Sequence, residues 1–79
     1  MIAEHMRAAR ERWTRASTLS GQAQRDAYGR CYHAAQRAAS SPGTPAERFE
    51  AAFLAAQAAR WSGRLDRAER ALCRALLDV

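Results

Sequence analysis

The chain has 79 residues, enough for one small domain that buries only about 60% of the surface its unfolded chain exposes. Its formal net charge is +5, and its basic residues other than two histidines are all arginine. That charge permits an acidic protein or nucleic-acid partner, whereas the absence of lysine is typical of a GC-rich genome and says little about binding.

The apolar share of the chain is 48%, but most of these residues are alanine, which buries little surface. A core this poor in large side chains rarely yields more than roughly 3–5 kcal/mol of net stability. We therefore expect self-association or a bound partner to complete the fold. No run of about 18 apolar residues is present, and the charged amino-terminal stretch lacks the apolar segment of a secretory signal. We expect no membrane span and a cytoplasmic protein.

Two helices are predicted in the first half of the chain. Apolar residues of 2–18 recur every three or four positions, as on one helix face: Ile2, Met6, Ala9, Trp13 and Ala16. The segment 17–21 breaks this pattern, and the Ser20 hydroxyl is placed to cap the helix that follows. The apolar stripe of that second helix comprises Ala23, Ala27, Cys31, Ala34 and Ala38, with Tyr28 and Tyr32 beside it.

A loop over 40–45 precedes two further predicted helices. Thr44 and Glu47 have the spacing of a capping box, with Pro45 at the first helical position, so we expect the third helix to begin there. Its apolar residues are Phe49, Ala52, Phe53, Ala56 and Ala59. Ser62 and Gly63 end it, and a fourth helix from about Leu65 carries on one face Ala68, Leu72, Ala75, Leu76 and Val79.

No segment alternates with the period of two that a half-buried strand requires, so the sequence predicts an all-α fold. We expect a small bundle of four short helices arranged as two helical hairpins. The chain is then a single helical domain over residues 1–79. It comprises a front hairpin over 1–39, the loop over 40–45 and a second hairpin over 46–79.

The second hairpin resembles a tetratricopeptide repeat, a 34-residue unit of two antiparallel helices. With Gly63 at the turn glycine of the repeat, three small residues fall where the family has small residues: Ala56, Ala68 and Ala75. Leu72 takes the large apolar position of the second helix, and Leu65 takes the apolar position after the turn. The resemblance covers residues 49–79 and implies two closely packed antiparallel helices.

The chain departs from this family on the first helix of the hairpin. Where the family has large residues, this chain has Ala52, Ala55 and Ala59. Its large side chains on this helix are instead Phe49, Phe53 and Trp61. The front half fits the repeat poorly, so we expect one repeat-like hairpin and one divergent hairpin. Because repeat folds generally need about three units to be stable alone, this again indicates pairing with another molecule.

In this family the first helix of a repeat faces the ligand, and the resemblance implies partner contacts from Glu50, Phe53, Gln57, Arg60 and Trp61. Phe53 and Trp61 would be apolar anchors, with Gln57 and Arg60 as polar contacts. The alternative is that the front hairpin covers both aromatic rings as part of the core. We favour the core role for Phe53 and leave both roles open for Trp61.

Three further aromatic residues are candidates for contact with a partner or with a second copy of the chain. Trp13 belongs to the first apolar stripe, and Tyr28 and Tyr32 lie four apart beside the second. The alternative for the tyrosines, which we favour, is a ring pair that shields the edge of the core with its hydroxyls in water.

The arginine stripe, which we define as Arg67, Arg70 and Arg74 on the fourth helix, is suited to an acidic protein or a nucleic-acid backbone. Acidic residues flank it, and Arg74 is spaced to pair with Asp78. No aromatic residue interleaves the arginines for base stacking. We therefore expect a protein partner ahead of nucleic acid.

Nothing in the sequence predicts catalysis. His5 and His33 lack the partners that a metal site or a catalytic triad requires, and no glycine-rich phosphate loop is present. Cys31 and Cys73 are isolated on apolar stripes, so we expect buried free thiols, with a single disulfide as the alternative. We expect no metal and no small-molecule cofactor.

The sequence favours a non-catalytic protein–protein interaction module. It would be a small bacterial adaptor, chaperone-like or regulatory protein that buries a helix face against a partner or dimerises. One alternative is a small basic nucleic-acid-associated protein that uses the arginine stripe. The other is a phage- or plasmid-borne inhibitor of a host complex.

Overall fold

The computed structural model of the chain describes the backbone of residues 2–77 and the side chains of residues 2–74. The elements within this range are four helices: α1 (Ile2–Ser17), α2 (Gly21–Ala39), α3 (Pro45–Trp61) and α4 (Leu65–Leu77). No strand occurs in the described part of the chain. The predicted all-α class is confirmed, and the predicted helices lie at the positions that their stripes and breaks indicated.

The helices pack in the order of the chain. Each contacts the next one, α1 makes a small additional contact with α3, and within residues 2–77 α1 and α4 do not meet. The Cα atoms extend over 35 × 25 × 13 Å, and the shortest dimension, 13 Å, corresponds to the thickness of two helix layers. The four helices therefore form a thin bundle, in which α1 and α3 are held together mainly through their contacts with α2.

Alanine makes this close packing feasible. Apart from Ile2, Met6, Tyr28 and Cys31, every apolar residue that is fully buried in the described range is an alanine. The densest set lies on one face of α3, which buries Ala51, Ala52, Ala55, Ala56, Ala58 and Ala59. Alanines of α2 and α4 pack against this face, whereas the amino end of α1 adds two of the larger side chains, Ile2 and Met6.

The start of α3 has the predicted capping box. The Thr44 hydroxyl accepts a hydrogen bond from the Glu47 amide at 3.1 Å, and the Glu47 carboxylate accepts one from the Thr44 amide at 2.9 Å. These bonds hold the pKa of the Glu47 carboxyl below its ordinary value. Next to the cap, a Cβ on Gly43 would lie 3.0 Å from the Ile2 side chain, so the loop rests directly on the beginning of α1.

Three details of the predicted helices are wrong. Ser20 does precede α2, but its side chain makes no capping hydrogen bond, and the helix begins instead at Gly21 with a φ of 61°. Ala23 is exposed, because the buried part of α2 begins one turn later at Ala27. On α4 the buried residue is Ala71, whereas Leu72 is 42% exposed. Of the predicted α4 face, the side chains of Ala75 and Leu76 and all of Val79 lie outside the described residues.

Within the described residues no helix has the length and apolar content that crossing a lipid bilayer requires.

Replacing Thr44 by alanine removes the hydroxyl that accepts the Glu47 amide, so we expect the free energy of unfolding to fall by about 1 kcal/mol. Thr18→Ala is the matched control, because Thr18 lies beyond α1 and its hydroxyl donates to the Arg15 carbonyl in the preceding turn. Urea denaturation followed by circular dichroism measures both. A loss for Thr44→Ala no larger than that for Thr18→Ala would contradict a stabilising capping box.

Candidate functional site

The outward face of α3 carries all five residues that the repeat resemblance implicated. Glu50 and Arg60 are exposed and Gln57 is half-buried. Phe53 is 45% exposed and Trp61 is 58% exposed. They share this face because the alanines take the opposite side of the helix, where α2 and α4 pack. The structure thus leaves two large aromatic side chains in contact with solvent.

The prediction that Phe53 belongs to the core is wrong. Its ring stacks on Phe49 with the ring centroids 6.3 Å apart, and Phe49 is the one of the two that packs against the buried cluster around Ile2 and Met6. Phe53 lies about one helical turn further along α3 and remains 45% exposed. Because α1 makes only a small contact with α3, the front hairpin does not cover this ring.

A groove runs between α1 and α3. One part of it is a concavity of about 380 Å³, lined by Met6, Arg10 and Trp13 from α1 and by Glu50, Phe53, Leu54 and Gln57 from α3. We name the whole depression the α1–α3 groove. A second concavity of about 680 Å³ continues along the same two helices toward Arg7, Glu11 and Glu47. Apolar side chains form the floor of the first part, and charged side chains form the rim of the second.

On the α1 wall of this groove, the sequence analysis named Trp13 as a candidate contact residue but not Met6 or Arg10. Met6, a member of the predicted apolar stripe of α1, lies in the core. Arg10 pairs with Glu50 across the groove, joining α1 to α3. These two side chains are 60% and 59% exposed, so the ion pair contributes at most about 1 kcal/mol and its rearrangement by a ligand costs little. No spacing rule relates two residues that are 40 positions apart.

The two tyrosines have different surroundings. Tyr28 is only 6% exposed, among Ala16, Ala27 and the half-buried Trp13, so the prediction that it contacts a partner is corrected: it is a core residue. Its ring lies 4.9 Å from that of Trp13, edge to face, and 6.3 Å from that of Trp61. Tyr28 therefore packs against the rings of both tryptophans from the core side and is not itself available to contact a partner.

Tyr32, one helical turn further along α2, packs against a different buried cluster, which includes Ala71 of α4. It is half-buried, its hydroxyl accepts a hydrogen bond from the Gln36 amide at 2.6 Å, and the Arg67 guanidinium lies over its ring at 5.6 Å from the centroid. The favoured pairing of Tyr28 with Tyr32 at the core edge is therefore wrong, because the two rings turn toward different helices.

The predicted arginine stripe is divided in the structure. Arg67 is half-buried and leans toward α2, whereas Arg70 and Arg74 are exposed on α4. The predicted Arg74 pair with Asp78 lies outside the described residues. The stripe is thus not one continuous surface for a nucleic-acid backbone.

Both cysteines are free, as expected, but only one is buried. The Cys31 thiol donates to the Ala9 carbonyl at 3.2 Å, and burial raises its pKa to about 11 although the nearby Arg12 charge lowers it. Cys73 is exposed, which corrects the prediction that it is buried. Among the described residues no three side chains of histidine, cysteine, aspartate or glutamate are grouped so that they could hold a metal ion.

No family model, curated protein or solved structure matches this chain.

We expect iodoacetamide at pH 8 to modify Cys73 in the folded protein and to leave Cys31 unmodified. With a pKa of about 11, only roughly one Cys31 in a thousand is a thiolate at that pH, and its sulfur is inaccessible. Peptide mass spectrometry measures each site, and a urea-unfolded sample supplies the control in which both react. Equal labelling of the two cysteines in the folded chain would show that the α1–α2 interface does not enclose Cys31.

Proposed function

We propose that this chain is a non-catalytic protein–protein interaction module that binds a short apolar segment of another protein in the α1–α3 groove. The observation that carries the proposal is the exposure of Phe53, which lines the groove from α3. Trp61 is also exposed, further along α3 and outside the groove lining. Exposed rings beside a concave apolar floor are typical anchors of protein interfaces.

The groove chemistry favours an apolar segment with polar flanks. Met6, Trp13 and Leu54 offer apolar contacts at the floor, and Gln57 offers an amide that can both donate and accept hydrogen bonds. The Arg10–Glu50 pair at the rim balances its own charge, so the groove has no strong preference for an acidic or a basic ligand. Binding energy would come mainly from covering the aromatic side chains.

Two further features support an adaptor, chaperone-like or regulatory role. The tetratricopeptide-like pattern of the second hairpin fits helices that pack in chain order, since each unit of a repeat protein contacts its neighbours in the sequence. The alanine-rich core also buries few large side chains, so a partner laid along α1 and α3 would add apolar burial that the chain lacks by itself. On this proposal, the protein acts by binding the partner segment in the α1–α3 groove.

A photo-crosslinking benzoylphenylalanine at position 53 tests the proposal in the host cell. The matched control places it at Leu65, which is 69% exposed on α4 and does not line the groove. We expect a covalent adduct with a second protein from position 53 and little from position 65. Adducts of equal yield at both positions, or adducts made only of two copies of this chain, would contradict the proposed partner.

The captured protein is then purified and titrated with the unmodified chain, with Phe53→Ser and with Leu65→Ser. We expect the Kd to rise by about tenfold or more for Phe53→Ser, as for a central interface anchor. Leu65→Ser should leave the Kd unchanged within about twofold. Equal Kd values for Phe53→Ser and the unmodified chain would remove the groove as the binding site.

A further inference from the structure

A separate concavity, of about 440 Å³, lies between α2 and the turn that joins α3 to α4. We name it the arginine basin after the four arginines in its lining: Arg25 and Arg30 from α2, Arg64 from the turn and Arg67 from α4. His33 and Gly29 also line it. It shares no residue with the α1–α3 groove, so what it binds is independent of the function proposed above.

Among the described residues, the positive charge of the basin is compensated only in part. Asp26 is the carboxylate of the lining, and it accepts a hydrogen bond from the Gln22 amide at 2.9 Å. Within the described side chains no carboxylate forms an ion pair with any of the four arginines, in contrast to Arg10 and Glu50 in the groove. Like charges brought together around a concave surface repel one another, and an anion placed between them removes that repulsion.

Parts of the basin are held in place before any ligand arrives. The Arg67 guanidinium lies over the Tyr32 ring, whose hydroxyl is in turn fixed by Gln36. The Arg30 carbonyl accepts a hydrogen bond from the Arg12 side chain at 3.2 Å, which ties this part of α2 to α1. A partly fixed guanidinium loses less conformational freedom when it binds an anion than a free one does.

Gly29 gives the basin its open floor. A glycine inside a helix is less favourable than alanine, and close approach of another helix is the usual reason for one. Here nothing lies within 4 Å of the position that a Cβ would take, so no helix crossing explains this glycine. The space that a side chain at position 29 would occupy adjoins the concavity that the arginines surround.

We propose that the arginine basin binds a compact anion that carries two linked phosphate groups, such as a pyrophosphate moiety. Arginine presents its donors as a planar fork that matches two phosphate oxygens at once, and four arginines can serve two phosphates in this way. No phenylalanine, tyrosine or tryptophan lines the basin, and His33 is the one ring in its lining, so we expect it to prefer the phosphates over a nucleic-acid strand.

The test is calorimetric titration of the full chain with pyrophosphate, with orthophosphate and with a thymidine oligonucleotide, all at one ionic strength. We expect saturable one-to-one binding of pyrophosphate, and binding of orthophosphate weaker by about tenfold or more. Absence of saturable pyrophosphate binding would overturn the proposal. Tighter binding of the oligonucleotide per phosphate would also overturn it, in favour of a strand-binding surface.

Two double variants distinguish binding of the anion in the arginine basin from attraction by the net charge of the chain. Arg64→Gln with Arg67→Gln should weaken pyrophosphate binding by at least about tenfold, since each removes a charge-assisted contact. The matched control is Arg70→Gln with Arg74→Gln, which removes the same amount of charge from α4 outside the basin, and it should change the affinity by less than about threefold. Equal losses in the two double variants would show that net charge alone attracts the anion.

A third variant fills the basin and keeps every charge. Gly29→Leu places a side chain in the open floor, and because leucine favours a helix more than glycine does, the fold should be at least as stable. We expect it to weaken pyrophosphate binding while the thermal midpoint stays equal or rises. Unchanged affinity in Gly29→Leu would place the anion elsewhere on the surface.

Discussion

The structure depends on the alanine face of α3. Six alanines on one side of that helix allow α2 and α4 to approach closely, and they leave the larger apolar residues of α3 to its other side. Had the large side chains pointed into the alanine interface, the neighbouring helices would have been pushed apart and the outer face would have been polar. The exposed Phe53 and Trp61 are therefore a consequence of how this core is built.

The same constraint produces two unlike surfaces. Because the helices pack in chain order, α1 meets α3 only slightly, and the space between them is the α1–α3 groove, with an apolar floor and a neutral ion pair at its rim. Where α2 approaches the α3–α4 turn, the arginine basin concentrates unpaired positive charge. The proposed ligands differ accordingly: an apolar segment would be buried in the groove, and a compact anion would be held by charge in the basin.

Local signals allowed the helices and the capping box at Thr44 to be predicted, because spacing and hydrogen-bonding capacity act within a few residues. Whether the rings of Phe53 and Tyr28 are buried or exposed depends on how far each helix is rotated about its axis relative to its neighbours. A stripe of small residues specifies this rotation poorly. Alanine at many positions makes several rotations equally compatible with the pattern. The Arg10–Glu50 pair and the arginine basin join segments far apart in the chain, so only the assembled fold brings them together.

Solvent accessibility of the aromatic rings tests the central claim, that close packing on the alanine face leaves Phe53 and Trp61 uncovered. Proton NMR of the dilute chain with a soluble gadolinium chelate reports the relaxation enhancement of each ring. The account requires strong enhancement for Phe53 and Trp61, intermediate enhancement for Trp13 and weak enhancement for Tyr28. If Phe53 and Trp61 were as protected as Tyr28, and stayed so on further dilution, the front hairpin would cover them and the open α1–α3 groove would not exist.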